Sequence, residues 1–228
     1  MKGTFKMKGV KKTGPLSDST EMVREGTFKY VNISSIEKNK AKPSLLLHSC
    51  CGPCSTAVIE RLYPDYDITV FFYNPNITDE KEYIRRKKTQ MDFIKRYNDD
   101  PTIPCKVGFR EGPYDVSAFY RVAATFASEP EGGRRCQQCF ALRLEKTAET
   151  AKILGFDMFA TTLSVSPHKD YDAISHIGKR TALMYNVGFL DRDFKKNNGY
   201  ARSIKLSKIY GLYRQDHCGC EYSKKKER

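Results

Sequence analysis

No apolar run in this chain approaches the ~18 residues of a membrane-spanning helix, and its first residues hold no apolar core of the kind that marks a signal peptide. Those two lacks predict a cytoplasmic protein with no membrane association. That compartment keeps thiols reduced, which argues against a framework of structural disulfides for the eight cysteines. An internal repeat is also missing, so repeat architectures are set aside. The 228 residues suffice for one well-buried domain, or at most two small ones. Acidic residues are in short supply: 27 Asp and Glu stand against 40 Lys and Arg, a formal net charge of +13. The excess is unevenly placed. Met1 to Pro43 holds 10 basic and 4 acidic residues, and Lys224 to Arg228 holds 4 and 1, so the stretch between is nearly balanced. Basic tails flanking a balanced body suit a polyanionic partner, although solubility alone is an alternative use of that charge.

Residues 1–43 are rich in Lys, Ser, Thr and Gly and read as a largely disordered basic arm, with one short strand near Lys29 to Ile33. Residues 44–223 form the α/β body, and 224–228 a basic tail. Within the body, strand-like and helix-like segments alternate. Leu45 to Leu47, Ile68 to Phe72, Cys105 to Val107 and Phe156 to Thr162 read as strands. Thr56 to Leu62, Asp79 to Tyr97, Asp115 to Ala127, Cys139 to Leu154 and Asp170 to Tyr185 read as helices. On the long charged helix, Ile84, Met91 and Ile94 mark the expected inner face, with Arg85, Arg86, Lys87 and Lys88 outside. Alternation of this kind predicts a doubly wound parallel sheet covered on both faces, a single domain with extra helices and a C-terminal segment. Ligands bind such sheets at strand carboxyl ends, where both the Cys50 to Cys54 turn and Thr161 to Ser164 fall.

Seven of the eight cysteines lie within three residues of another. Such spacing converges on metal or redox chemistry more readily than on separate bridges. Cys50, Cys51 and Cys54 follow a strand and open a helix, where unpaired backbone N–H groups and the positive dipole end favour thiolate over thiol. Cys136 and Cys139 repeat the device, with Arg134 and Arg135 just ahead. Cys50, Cys51, Cys136 and Cys139 together would make a four-sulfur site for zinc or an iron–sulfur cluster. The adjacent pair Cys50-Cys51 is an awkward bite for structural zinc and favours the cluster. Cys218-Gly219-Cys220 is a different object: this spacing closes only a small, strained, easily reduced disulfide, and fits a redox pair that opens and closes. Further ligands or idle thiols are the alternatives. His217 stands where it would tune a thiol or transfer a proton, unless it is a solvated loop histidine. His48 reads as a satisfied core histidine or a site residue. Tyr73, Asn74, His168 and Lys169 are candidate substrate contacts, although aromatics such as Tyr73 and Tyr83 also serve as core. Cys105 stands alone, a buried small hydrophobe.

The segments Leu45-Leu46-Leu47-His48-Ser49-Cys50-Cys51-Gly52-Pro53-Cys54, Phe72-Tyr73-Asn74-Pro75-Asn76-Ile77, Cys136 to Leu144, Thr161-Thr162-Leu163, Ser166-Pro167-His168-Lys169 and His217-Cys218-Gly219-Cys220 occur together and in order. In this combination, from about Ser44 to Tyr222, the chain resembles epoxyqueuosine reductases of the QueH type. The resemblance implies a Rossmann-like fold of the nucleotide α-hydrolase kind and removal of the epoxide oxygen of epoxyqueuosine at the tRNA wobble position. It also implies a [4Fe–4S] cluster on Cys50, Cys51, Cys136 and Cys139, a further adjacent iron for which Cys54 is the candidate ligand, and a redox-active Cys218–Cys220 pair. The partner is then the tRNA anticodon loop, with an external electron donor of unspecified kind.

That chemistry consumes two electrons and two protons, which a dithiol supplies on closing. No flavin or corrinoid site is legible. Two rival readings are a metal-stapled RNA-binding protein without catalysis, and a tRNA thiolase. The thiolase needs a Ser/Gly-rich phosphate loop after the first strand, and Cys-Cys-Gly-Pro-Cys offers phosphates little to hold.

Overall fold

Leu45, Leu46 and Leu47 have no exposed surface, as the central strand of a parallel sheet buried on both faces requires. In a computed structural model of the protein, which describes residues 42–223, they form β1 (Ser44–His48). The expected strand near Lys29 to Ile33 and the 224–228 tail lie outside the described residues. Along β1 the side chains alternate: Leu45 and Leu47 pack with Val58, Ile59, Phe93 and Ile94, whereas Leu46 packs with Phe140, Leu144 and Ile174. Two separate cores therefore sit above and below one sheet.

The elements follow as α1 (Gly52–Leu62), β2 (Asp67–Phe72), α2 (Glu80–Asp99), β3 (Gly108–Glu111), α3 (Val116–Ala123), α4 (Arg134–Leu154), β4 (Met158–Thr161), α5 (Tyr171–Tyr185), β5 (Gly188–Phe189) and α6 (Gly199–Ile209). All five strands pair in parallel, in the order β3-β2-β1-β4-β5. The chain steps outward from β1 to β3, then crosses to β4 on the other side of β1. The winding direction reverses between β1 and β4, and the crevice at their carboxyl ends is the topological switch point. His48 is in register with both Phe71 and Thr161 there, which brings the cysteine turn after β1 beside the Thr162–Val165 turn after β4. The expected doubly wound α/β architecture is borne out.

Several boundaries differ from the sequence expectation. The third strand begins at Gly108 rather than Cys105, and Cys105 is only half-buried, 3.9 Å from the Tyr97 hydroxyl. On α2, Ile84 and Met91 are about half exposed, and the inward face is Tyr83, Arg86, Gln90, Phe93, Ile94 and Tyr97. Counting aliphatic residues misplaced this face by part of a turn, because two of its members are polar groups whose burial is met by hydrogen bonds. The helix expected from Cys139 begins at Arg134, capped by Gly133, and so takes Cys136 into its first turn. The weakly patterned α6 and the two-residue β5 carried no apolar signal strong enough to be read.

Candidate metal and dithiol site

The turn between β1 and α1 is held from three sides. The Asn74 amide Nδ2 donates to Ser49 O at 2.9 Å, and the Ser49 hydroxyl donates to Gln90 Oε1 at 2.8 Å. Gln90 Nε2 donates to Ser55 Oγ at 2.9 Å, and that hydroxyl donates to Gly52 O at 2.8 Å. Cys51 is the N-cap of α1 and Gly52-Pro53 its first positions, so the helix opens at the cysteine turn and begins four residues ahead of the expected Thr56. Gly52 approaches α2 so closely that a Cβ would stand 3.2 Å from Thr89 O. The result is a group of three sulfurs, Cys50, Cys51 and Cys54, all within 4.8 Å of one another, with Cys50 and Cys51 3.8 Å apart.

Three thiols this close cannot all ionise without a cation among them. Hydrogen bonds from Cys51 and Cys54 hold Cys50 well below the usual thiol range, against burial, with Lys169 and Arg143 adding their charge. Donating to Cys50 keeps Cys51 and Cys54 protonated and pushes Cys51 up to about 12. A metal ion would replace those protons, so the donor set fits a soft cation.

The second group rests on α4. Cys136, in the first turn, accepts from Gly132 N at 3.2 Å, and Cys139 follows one turn on, buried. Burial pushes Cys139 up to about 11, against the nearby Arg143 charge. Arg135 does not serve the thiols as the sequence implied. It donates to the carbonyls of Phe126, Ala127 and Glu129 and lies 4.3 Å from the Tyr222 ring, so it shapes the loop before α4. The cation at the thiols is Arg143, one helical turn past Cys139 and 1 % exposed. Its Nε donates to Cys139 O at 3.2 Å, while its Nη2 has no hydrogen-bond partner among the described residues.

Cys136, Cys139, Arg143 and Lys169 line one cavity with Cys218 and Cys220. Lys169 Nζ lies 3.6 Å from Cys218 Sγ. A hydrogen bond from Cys220 holds Cys218 well below the thiol range against burial, with Lys169 and Arg143 assisting, and the same bond drives Cys220 far up. Burial disfavours the charge on Lys169, but the surrounding sulfurs of Cys218, Cys50 and Cys139 outweigh it and keep the ammonium protonated. Arg143 and Lys169 thus act on a sulfur in each of the three cysteine groups: Cys50, Cys139 and Cys218. The segment ahead of Cys218 closes over the first of them: Gln215 Nε2 donates to Cys51 Sγ at 2.8 Å, and Tyr213 donates to Glu82 at 3.1 Å.

His168 stands at the cavity rim, exposed. Tyr73 is buried against the sheet, stacked on Phe71 at 5.9 Å. Asn74 is fully buried, and its Oδ1 has no partner among the described residues. His48 is a satisfied core histidine: Nδ1 lies 2.9 Å from Thr161 Oγ1 and Nε2 3.1 Å from Tyr73 O, and burial, with Arg143's charge, lowers it to about 3. His217 Nδ1 is 2.8 Å from Asp216 Oδ1. Sequence reasoning missed Arg86, Gln90, Arg143 and Gln215 as site residues. Helical spacing was the available signal for two of them, since Arg143 is four residues from Cys139 and Gln90 four from Arg86.

A family model described as "Epoxyqueuosine reductase QueH" matches residues 45–226. The chain is 43% identical over 189 residues to the "Epoxyqueuosine reductase QueH" of Streptococcus pyogenes serotype M1, covering 83% of this chain and 73% of that protein. It is 40% identical over 197 residues to the protein of the same description from Staphylococcus epidermidis, covering 86% and 82%. Among solved structures, "The crystal structure of predicted subunit of tRNA methyltransferase from Methanocaldococcus jannaschii DSM" aligns over 72% of this chain and 76% of that one, at 13% identity and a TM-score of 0.43, a likeness too slight to bear on function.

Proposed function

The chain belongs to the epoxyqueuosine reductase QueH family, and from that premise we propose that it reduces epoxyqueuosine in tRNA at an iron–sulfur site held by Cys50, Cys51, Cys136 and Cys139, with Cys218 and Cys220 as the dithiol. It is an oxidoreductase. The observation that carries the finer reading is the placement of Arg143 and Lys169, two cations acting on all three cysteine groups at the switch point. A buried and a half-buried cation with no carboxylate partner among the described residues call for anions beside them, and thiolates bound to a metal are such anions. Bound there, a [4Fe–4S] cluster supplies single electrons, and a further iron with Cys54 as ligand supplies a Lewis acid for the epoxide oxygen.

The chain's own groups account for the rest. Cys218, the thiol favoured as thiolate, attacks an epoxide carbon; the C–O bond breaks, and the released oxygen takes a proton from Lys169. The Cys220 sulfur, once deprotonated, attacks the Cys218 sulfur. The C–S bond then breaks to form the alkene, the adjacent hydroxyl takes the proton that Cys220 gave up, passed through Lys169, and leaves as water, and a disulfide closes. Two thiols are oxidised and one epoxide is reduced to an alkene, so electrons and protons balance. An external reductant reopens the pair. An alternative keeps the pair as an electron relay to the cluster, and only the covalent route leaves a trapped protein–tRNA adduct when Cys220 is replaced by Ser. His168 and Lys169 face the incoming nucleoside, while Tyr73 and Asn74 support the turn beneath it. The anticodon loop is splayed into the cleft, with the arm of residues 1–43 on phosphates. The chain works in the cytoplasm; no helix among the described residues is long and apolar enough to cross a membrane.

Anaerobic purification followed by iron, zinc and labile-sulfide analysis tests the cluster. Iron with stoichiometric sulfide supports it, and zinc without iron or sulfide overturns it.

A further inference from the structure

We propose that Arg86 is a positioning residue for the Cys218–Cys220 dithiol, a role that rests on reading that pair as redox-active. Arg86 lies on α2, remote in sequence from the pair, and its side chain is 1% exposed. Its Nε donates to Glu82 at 2.6 Å, its Nη1 to Cys218 O at 2.9 Å and its Nη2 to His217 O at 3.2 Å. One planar guanidinium therefore holds two consecutive carbonyls, a geometry that an ammonium does not reproduce. Glu82 is itself fixed by the Tyr213 hydroxyl, and the Tyr213 ring lies under the Arg85 guanidinium at 3.4 Å.

The next carbonyl is also taken: Thr78 N, just ahead of α2, donates to Gly219 O at 3.1 Å. Gly219 has a φ of +111°, and a Cβ there would stand 3.0 Å from both Arg86 Nη1 and Ile77 Cγ1. This explains why the residue between the two cysteines is glycine. The backbone of residues 217–219 is thus pinned by its carbonyls, and both thiols are left free to react. A Cys-x-Cys disulfide closes only when its two sulfurs are turned toward each other in a small strained ring. Pinning the backbone removes most of the conformations in which they are not. In chemical terms, Arg86 raises the effective concentration of Cys220 at a sulfur bonded through Cys218.

The test uses the full chain, reduced, metal-loaded and anaerobic, treated with oxidised glutathione. The thiolate of Cys218 displaces one glutathione to form a mixed disulfide. Cys220 then attacks the Cys218 sulfur and releases the second glutathione, closing the pair. Mass spectrometry of the tryptic peptide spanning residues 215–224 reads the resolution rate. Two variants are compared with the native chain: Arg86→Lys, which keeps the charge beside Glu82, and the double variant Glu82→Gln with Arg86→Met, which strands no buried carboxylate. Both are expected to resolve the mixed disulfide at least tenfold more slowly and to lose kcat in parallel. KM for tRNA and the iron and sulfide content should stay within twofold. Folded, loaded variants that resolve within twofold of the native rate would overturn the proposal. A native chain that forms no Cys218–Cys220 disulfide overturns the dithiol reading instead, and this one with it.

Discussion

Replacing Lys169 by Met removes the ammonium that lies 3.6 Å from Cys218 Sγ. Two opposite unit charges at that distance attract by about 4 to 5 kcal/mol at an effective dielectric of ~20. Lys169 is half-buried rather than enclosed, and Arg143 remains behind as a second cation, so the net loss falls to about 2 kcal/mol. The sign follows from charge. Removing a cation disfavours the thiolate, so the Cys218 midpoint rises, by about 1.5 pH units at 1.36 kcal/mol per unit. The assay is iodoacetamide labelling against pH in a Cys220→Ser background, whose hydroxyl still donates to Cys218. The tryptic peptide from Gln215 to Lys224 then holds a single cysteine, and the other seven positions fall elsewhere or are removed. Below both midpoints, labelling should slow by about 30-fold, the same 2 kcal/mol expressed as a rate. A Lys169→Arg variant should restore most of it. A midpoint unmoved by Lys169→Met would refute the assignment of Lys169 as the counter-charge of Cys218.

Serine at any one of Cys50, Cys51, Cys136 or Cys139 should abolish or cripple iron and labile-sulfide content, whereas Cys105→Ser, whose sulfur lies by Tyr97 and not by the other thiols, should leave it intact. Deleting the first 40 residues should weaken tRNA binding and flatten its salt dependence while activity survives at high tRNA, and an unchanged salt slope in filter binding would exclude the arm as a phosphate contact. Leu46→Ala, at a position with no exposed surface on the central strand, should lower unfolding free energy by about 2 to 5 kcal/mol in a denaturant titration.

What could be read from the sequence and what could not divides along the range of the interactions involved. β1 announces itself because a strand buried on both faces is apolar at Leu45 to Leu47, and β2 because Ile68 to Phe72 is a β-branched and aromatic run. The three cysteine groups are legible because each member stands within three residues of another in the sequence. Arg86 was assigned to the solvent face because nothing within α2 shows that its partners are carbonyls more than 130 residues away. Arg143 sat unnoticed inside a helical pattern whose charged members are usually solvated, and its burial becomes sensible only with Cys50 and Cys218 beside it. The helix α6 lacks a strong apolar stripe, and tertiary ties hold it in place: an Arg202–Glu60 ion pair and the packing of Gly199 on the Phe194 carbonyl. The strand order, and hence the placement of the turn after β1 beside the turn after β4, follows from crossovers that no local pattern encodes.

The most direct test is a single turnover without added reductant. Reduced, metal-loaded enzyme is mixed anaerobically with an equal amount of tRNA carrying epoxyqueuosine, and the nucleoside and the peptide spanning residues 215–224 are followed together by mass spectrometry. The expected result is about one queuosine formed per Cys218–Cys220 disulfide closed, with Cys218→Ser keeping its iron and forming none. Stoichiometric queuosine with both cysteines still reduced, or formed equally well by Cys218→Ser, would contradict the dithiol mechanism.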